Sequence, residues 1–358
     1  MSRTTPVTRM LGIEHPIIQA PMARVSTASL AAAVSNAGGL GSFGAAYSTA
    51  DDLRTAIRAI AAATNKPFQV NLFVPQAVAY DQARLARARA ALAPLERALG
   101  LDADSGTPIA PGDPCDDHFA VALAERVAIV SFQFGVPPSN YIERAKAAGT
   151  TIVAAATTPT EARAAVKAGA DLVIAQGAEA GGHQGSFVAE AEPALIGTMA
   201  LVPQVVDAVQ VPVIAAGGIM DGRGVAAALC LGAGAAQLGT AFILCPESAA
   251  APAYRQALLA AAPEQARVTR AISGRPARGL VNRIIETVAD GGAVLPFPHQ
   301  MALSQRLARA ALALGRSDFM TMWAGQGVGL ARALPAGELM AKILAELEAA
   351  MAARERKG

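Results

Sequence analysis

Eight short apolar segments alternating with alanine-rich helical stretches constrain the fold of this chain more than any single motif. The strand-like segments are Pro16–Ala20, Gly41–Ala45, Phe68–Phe73, Val127–Phe132, Thr151–Ala155, Asp171–Ala175, Pro212–Ala216 and Ala236–Ile243. Helices are expected at Ser26–Asn36, Asp51–Ala63, Pro138–Ala148, Pro159–Ala168, Ile196–Ala208 and Asp221–Leu231. Short β-branched runs separated by helical segments read as parallel strands with crossovers. Ser26, Thr157-Thr158 and Asp221 supply capping oxygens, and Gly38-Gly39, Gly149, Gly169 and Gly232 stand where helices end. Eight such units predict an α/β fold, the (β/α)8 TIM barrel. An open doubly wound sheet would carry a glycine fingerprint after its first strand; this chain has Gln19-Ala20-Pro21-Met22 there.

Two stretches depart from the regular spacing. Residues 76–118 hold an Ala/Arg helix, Gln82–Leu99, followed by a Pro/Gly/Asp-rich loop, Asp102–Asp117. This is an inserted helix-loop after strand 3. Residues 245–335 follow the eighth strand and contain helices near Ala253–Ala261 and Met301–Leu314 and a glycine-rich stretch, Trp323–Gly329. They read as a C-terminal lid-like subdomain over the barrel mouth. The expected division is a barrel over 1–244, a lid and substrate subdomain over 245–335, and a terminal helix over 336–358.

Composition narrows the function classes. Hydrophobic residues make up 53% and aromatics only 4%, so Ala, Val, Leu and Ile must fill the interior. A net charge of +2 with scattered arginines gives no basic face for nucleic acid and no membrane-surface patch. No apolar run approaches the roughly 20 residues needed to span a bilayer. Cys115, Cys230 and Cys245 show neither pairing nor metal spacing, and the first residues lack a secretory pattern. The expectation is a cytoplasmic protein without a metal site, its oligomeric state left open, a homo-oligomer included.

The chemistry converges on the C-terminal ends of the expected strands. Residues 170–185 run from a buried strand into Gln176-Gly177 and then into a loop carrying Gly181, Gly182 and Gly185 around His183. A titratable ring on a glycine-lined loop at that end of a barrel strand is a catalytic candidate. The same rim collects Ala20, Pro21, Met22, Asn71, Gln133, Gln176, Gly217, Gly218, Gln237, Leu238, Gly239 and Thr240. It is rich in amides and glycine and nearly free of acids, which speaks against paired-carboxylate glycosidase chemistry. Side-chain amides and backbone N–H groups can serve the pyrimidine edge of a flavin. Gly217-Gly218 and Gly239-Thr240 sit at the seventh and eighth strand ends, where barrels often hold phosphate.

Gln19-Ala20-Pro21-Met22, Asn71, the run Ala175-Gln176-Gly177-x-Glu179-Ala180-Gly181-Gly182-His183-x-Gly185, Ala215-Ala216-Gly217-Gly218-Ile219 and Gln237-Leu238-Gly239-Thr240 together resemble the nitronate monooxygenase family, formerly the 2-nitropropane dioxygenases. The likeness covers roughly residues 12–335. Met322–Gly327 and Pro296-Phe297-Pro298 resemble the family's class I. The resemblance implies an FMN-containing TIM barrel that oxidises alkyl nitronates, a class that includes propionate 3-nitronate, with O2 to a carbonyl compound and nitrite through a flavin semiquinone. It implies His183 as catalytic group, either holding the nitronate or taking a proton from a neutral nitroalkane. The rim residues above, with Gly181, become the FMN set, and Glu179 a loop anchor. The family's tyrosine and lysine on the last helix are missing from 296–306. The E-A-G-G-H-x-G loop is also shared with flavin-dependent enoyl-acyl-carrier-protein reductases and quinone reductases. An NAD(P)H-dependent reductase is therefore the alternative, with Arg24, Arg275, Arg278 and Arg283 available for nucleotide phosphates. Of the other histidines, His15 and His118 read as surface residues, and His299 as a residue that can face the substrate side of the lid.

Overall fold

The computed structural model describes residues 4–75, 78–102, 114–188, 194–288 and 293–355. Eight parallel strands form the barrel: β1 (Ile17–Gln19), β2 (Gly41–Gly44), β3 (Phe68–Phe73), β4 (Ile129–Gln133), β5 (Thr151–Ala156) and β6 (Leu172–Gln176), then, past a two-residue strand β7 (Gly182–His183) outside the barrel, β8 (Val213–Ala216) and β9 (Ala235–Leu238). Their hydrogen-bonded order is β1-β9-β8-β6-β5-β4-β3-β2. A parallel bridge between Ile18 and Leu40 joins the two ends and closes the cylinder.

Side chains alternate across each strand, since successive Cβ atoms point to opposite faces. Val130, Phe132, Val173, Ala175, Ala215, Ala236 and Leu238 pack in the shell between barrel and helices. Their neighbours Ile129, Leu172, Ile174, Ile214, Ala216 and Ala235 fill the lumen. The helix Pro6–Leu11 adds Val7 and Leu11 to that lumen cluster. The same alternation brings Asn71 and Phe73, Gln133, Gln176 and Gln237 to the inner face at the C-terminal rim. Apolar packing stabilises much of the lumen, with the buried Gln69–Ser42 hydrogen bond (2.7 Å) set among it, and the amides Asn71, Gln133, Gln176 and Gln237 stand where the barrel opens.

Several boundaries differ from the sequence expectation. The eighth barrel strand ends at Leu238, and Thr240–Ile243 forms a short helix instead of continuing it. Gly239, at φ −105° and ψ −73°, takes the chain out of the extended region. Ser26 does not cap the first long helix. That helix runs Ala28–Asn36, and Thr27 Oγ1 accepts from the Leu30 N–H at 3.0 Å. The Ser26 hydroxyl is taken by the Gln19 amide and the Met22 N–H, both at 2.9 Å. Thr158 and Asp221 do cap their helices. The inserted helix spans Gln82–Ala98. Most of the following loop, 103–113, lies outside the described residues, and its last part belongs to a helix, Cys115–Ala124.

Beyond β9, strands β10 (Ala266–Thr269) and β11 (Ala277–Leu280) form a three-stranded sheet with β7 in the order β10-β11-β7. Ala277 pairs with His183 and Arg278 with Gly182, so this sheet grips the histidine loop directly. Helices Pro252–Ala260 and His299–Ala313 pack above it on a second apolar cluster built on Leu258, Ile272, Leu295, Leu307 and Phe319. The terminal helix Ala336–Glu355 lies against helix Gly222–Cys230. Among the described residues no helix is long and apolar enough to cross a membrane.

Candidate active site

A cavity of about 340 Å³ opens at the C-terminal end of the barrel, between the strand ends and residues of the 245–335 segment. That size lies at the lower end of cofactor and ligand sites, roughly 300–1,000 Å³. Its wall includes Ala20, Pro21, Met22, Asn71, Gln133, Gln176, Gly181, His183, Gly217, Gly218, Gln237, Gly239 and Thr240. Thus the structure gathers thirteen of the fourteen rim and loop residues singled out from sequence. Leu238 is the exception. It follows Gln237 on the strand, so its side chain points the other way and is buried in the outer shell.

His183 is carried on a loop fixed from several sides. The Gln176 amide donates to the His183 carbonyl at 3.0 Å and accepts from the Gly185 N–H at 2.7 Å. Gln133 donates to Gln176 Oε1 at 3.4 Å and to the same carbonyl at 3.5 Å. These two amides are therefore engaged in shaping the loop as well as lining the cavity. Glu179 accepts from the Thr198 N–H at 2.9 Å and hydroxyl at 2.7 Å, which ties the loop to the next helix. Arg278 donates to the carbonyls of Ala178 at 2.7 Å and Ala266 at 2.7 Å. Gly181 is required by packing: a Cβ there would lie 2.6 Å from the Gly325 backbone nitrogen. Gly325 in turn donates its N–H to Thr240 Oγ1 at 2.9 Å.

The imidazole stands in an aromatic box. Its centroid is 5.5 Å from each of the rings of Phe134, Phe297 and Trp323, and 6.2 Å from Phe73. Nε2 is shielded from solvent and has no hydrogen-bond partner. Burial, with the Arg275 guanidinium adding to it, pushes the ring's pKa down to about 3, so the imidazole is neutral at physiological pH. Two other polar atoms on the cavity wall share this condition: the Tyr47 hydroxyl and Gln237 Oε1 are shielded and unpartnered. Burial raises the Tyr47 phenol to about 12, partly offset by Arg24, whose guanidinium lies 4.6 Å from the Tyr47 ring. Asn71 donates to the Ser131 carbonyl at 3.2 Å and hydroxyl at 3.0 Å.

Sequence reasoning missed Tyr47, Phe73, Phe134 and Thr321. Phe73 lies two residues beyond Asn71 on the same strand face, a signal the alternation carries. Phe134, at φ +73°, has no such signal. Trp323 and Tyr254 also line the cavity, and the Tyr254 hydroxyl donates to the Trp323 carbonyl. The other histidines lie elsewhere. His118, expected on the surface, is buried with Nε2 2.9 Å from the Ser48 carbonyl, and His15 is half-buried. His299 does not line the cavity; it packs on Tyr80 at 4.5 Å, with Nε2 3.1 Å from the Val78 carbonyl. Among the described residues no three His, Cys, Asp or Glu side chains gather as a metal site.

Comparison with known proteins agrees with this arrangement. Residues 4–346 match the family model described as nitronate monooxygenase. The chain is 48% identical over 344 residues to nitronate monooxygenase of Pseudomonas aeruginosa, covering 95% of this chain and 98% of that protein. It is 40% identical over 347 residues to a probable nitronate monooxygenase of Staphylococcus aureus, covering 96% and 98%. Among solved structures, nitroalkane oxidase from Streptomyces ansochromogenes superposes with a TM-score of 0.90 at 44% identity, covering 98% of this chain and 99% of that one. FabK from Thermotoga maritima superposes with a TM-score of 0.79 at 33% identity, over 99% of both chains.

Proposed function

The chain belongs to the nitronate monooxygenase family, and from that premise we propose that it binds FMN and oxidises alkyl nitronates with O2 to a carbonyl compound and nitrite. The observation that carries this reading is the set of three shielded, unpartnered polar atoms around one cavity: His183 Nε2, the Tyr47 hydroxyl and Gln237 Oε1. A buried polar atom without a partner costs about 1–3 kcal/mol. Three on one wall mark a site built to receive a polar ligand.

The wall fits a flavin. Gln237 and Asn71 offer amide groups to the ring system, and Ala20, Pro21 and Met22 an apolar edge along which a flat ring can lie. Gly217 and Gly218, both at positive φ, with Gly239 and Thr240 leave room for a phosphate against bare backbone. When bound, FMN supplies the electron-transfer chemistry, and the protein supplies position and field. The segment 245–335 acts as the lid and substrate subdomain on the 1–244 barrel, and Tyr254, Met301, Thr321 and Trp323 are among the residues it brings to the cavity wall.

His183 works as a neutral ring. It can hold a nitronate oxygen through an N–H or accept a proton at Nε2, but it brings no charge of its own to the anion. With a neutral nitroalkane, Nε2 takes the α-proton. The imidazolium then stands beside the nitronate it has produced, and each charge favours the other. Dioxygen and a small nitronate are accommodated without further charged groups in the aromatic box.

The test is an absorbance spectrum of the purified protein, followed by oxygen uptake with ethyl nitronate, propyl-2-nitronate and propionate 3-nitronate. A yellow protein consuming oxygen and releasing nitrite is expected. A colourless protein that takes up no riboflavin 5′-phosphate overturns the proposal. The reductase alternative is less well served. Arg278 is committed to two carbonyls, Arg283 lies 5.0 Å from the Phe319 ring, and Arg275 is off the cavity wall, which leaves Arg24 there. Rapid flavin bleaching on anaerobic mixing with NADH would reinstate that alternative.

A further inference from the structure

Arg275 does not line the cavity, yet it is coupled to His183 by several routes. Its guanidinium carbon lies 4.2 Å from the centroid of the Phe134 ring, and that ring meets the imidazole at 89°. Its Nη2 donates to the Ser186 carbonyl and its Nε to the Gln184 carbonyl at 3.4 Å. The next residue, Pro276, accepts from the Gln184 N–H at 2.8 Å, and Ala277 pairs with His183. The arginine is itself seated by Ser273, whose hydroxyl donates to the Arg275 carbonyl at 3.0 Å.

The opposite side of the same segment is held by Glu161, a fully buried carboxylate. It accepts from the N–H groups of Phe187 at 2.6 Å and Val188 at 3.0 Å. Its other oxygen accepts from the Thr157 N–H and hydroxyl, both at 2.7 Å. The residues just after the histidine thus have their carbonyls gripped by a cation and their N–H groups by an anion. Burial works against the arginine's cation most strongly, the charge of Glu161 favours it and that of Arg270 opposes it. Arg278 on β11 is turned to the Ala178 and Ala266 carbonyls, and Arg24 lies over Tyr47.

We propose that Arg275 is a positioning residue for His183: it clamps the carbonyls that follow the histidine and backs the Phe134 ring beside the imidazole. The proposal rests on the nitronate reading for its kinetic arm, and carries a spectroscopic arm that does not.

The experiment compares Arg275→Met and Arg275→Lys in the wild-type and His183→Asn backgrounds, with nitroethane and ethyl nitronate as substrates. Arg275→Met is expected to lower kcat for nitroethane by about tenfold or more, within the range of a general-base step, and to move KM far less. Arg275→Lys should recover much of that loss. In the His183→Asn background the same change should cost less than about twofold, because both residues serve one step. In ¹⁵N-histidine spectra, the His183 ring resonances should shift or broaden in Arg275→Met. Equal losses in both backgrounds overturn the proposal, as does a folded Arg275→Met with unchanged kinetics. Where the Met variant does not fold, Arg275→Gln, which keeps one donor, carries the same comparison. A wild-type chain that oxidises neither substrate removes the functional reading instead. Arg275 is then decided by the spectra alone, and an unmoved His183 signal in the folded variant rejects it.

Discussion

A neutral imidazole in an aromatic box behaves differently from an ordinary histidine. Its unpartnered Nε2 is unprotonated at any pH well above 3, and the ring gains no charge near pH 6.5. His183→Asn should therefore lower turnover of neutral nitroalkanes by about 10²–10⁴-fold, while turnover of preformed nitronates is largely spared, because only the former needs a base. Parallel steady-state assays on nitroethane and ethyl nitronate check this, and equal losses would remove the base. The sign of the pH effect follows from the same shift. The neutral form persists above a pKa of about 3, so kcat/KM for neutral nitroethane, the substrate that needs the base, should stay level from about pH 5 to 8. A limb centred near 6.5 that disappears in His183→Asn would contradict the neutral assignment.

At the scale of elements, much of the site was legible because barrel strands deliver their last inward residues to one rim. Gln176, Gln133 and Asn71 needed only the strand ends to be located. Leu238 shows where that reading fails: in a strand apolar on both faces the alternation is masked, so the run Gln237–Thr240 looked like one lining segment. Phe134 and Glu161 were invisible for another reason, since they join segments far apart in sequence, and for the same reason Arg275 was read as a group for nucleotide phosphates instead of a clamp on the histidine loop. Helix packing carried a hidden demand as well. A Cβ on Gly222 would lie 2.1 Å from the Leu347 backbone nitrogen and 2.4 Å from the Ile343 carbonyl oxygen. Only a glycine allows the terminal helix to approach this closely, and backbone atoms cannot rotate away. Gly222→Ala should cost roughly 1–3 kcal/mol as overpacking, read as a lowered midpoint in chemical denaturation with the absorbance spectrum of the folded protein unchanged. An unshifted midpoint would mean the terminal helix is held loosely.

For the whole molecule, the site joins two bodies of packing, the barrel with its helical shell and the apolar cluster of the 245–335 segment, at the strand that carries His183. Burying that ring uncharged links acid stability to the site. The folded pKa of about 3 lies below the ordinary histidine value of 6.5, so between those limits the unfolded chain binds a proton that the folded chain refuses. Stability should accordingly fall as pH drops through 6.5 toward 3, by roughly 1.4 kcal/mol per pH unit from this group. The carboxylates held low by hydrogen bonds, such as Glu125 with Arg58 and Asp318 with Arg316, follow the same protonation logic in a lower pH window. Their stabilisation is lost only as pH falls through the carboxylate range and below. A window from about pH 6.5 to 5 therefore isolates the histidine from them. Urea denaturation across it should show the wild-type chain losing about 2 kcal/mol that His183→Asn does not lose. Superimposable slopes for the two proteins would show that the imidazole is solvated and chargeable. The aromatic box, the free Nε2 and the neutral-base chemistry would then have to be abandoned together.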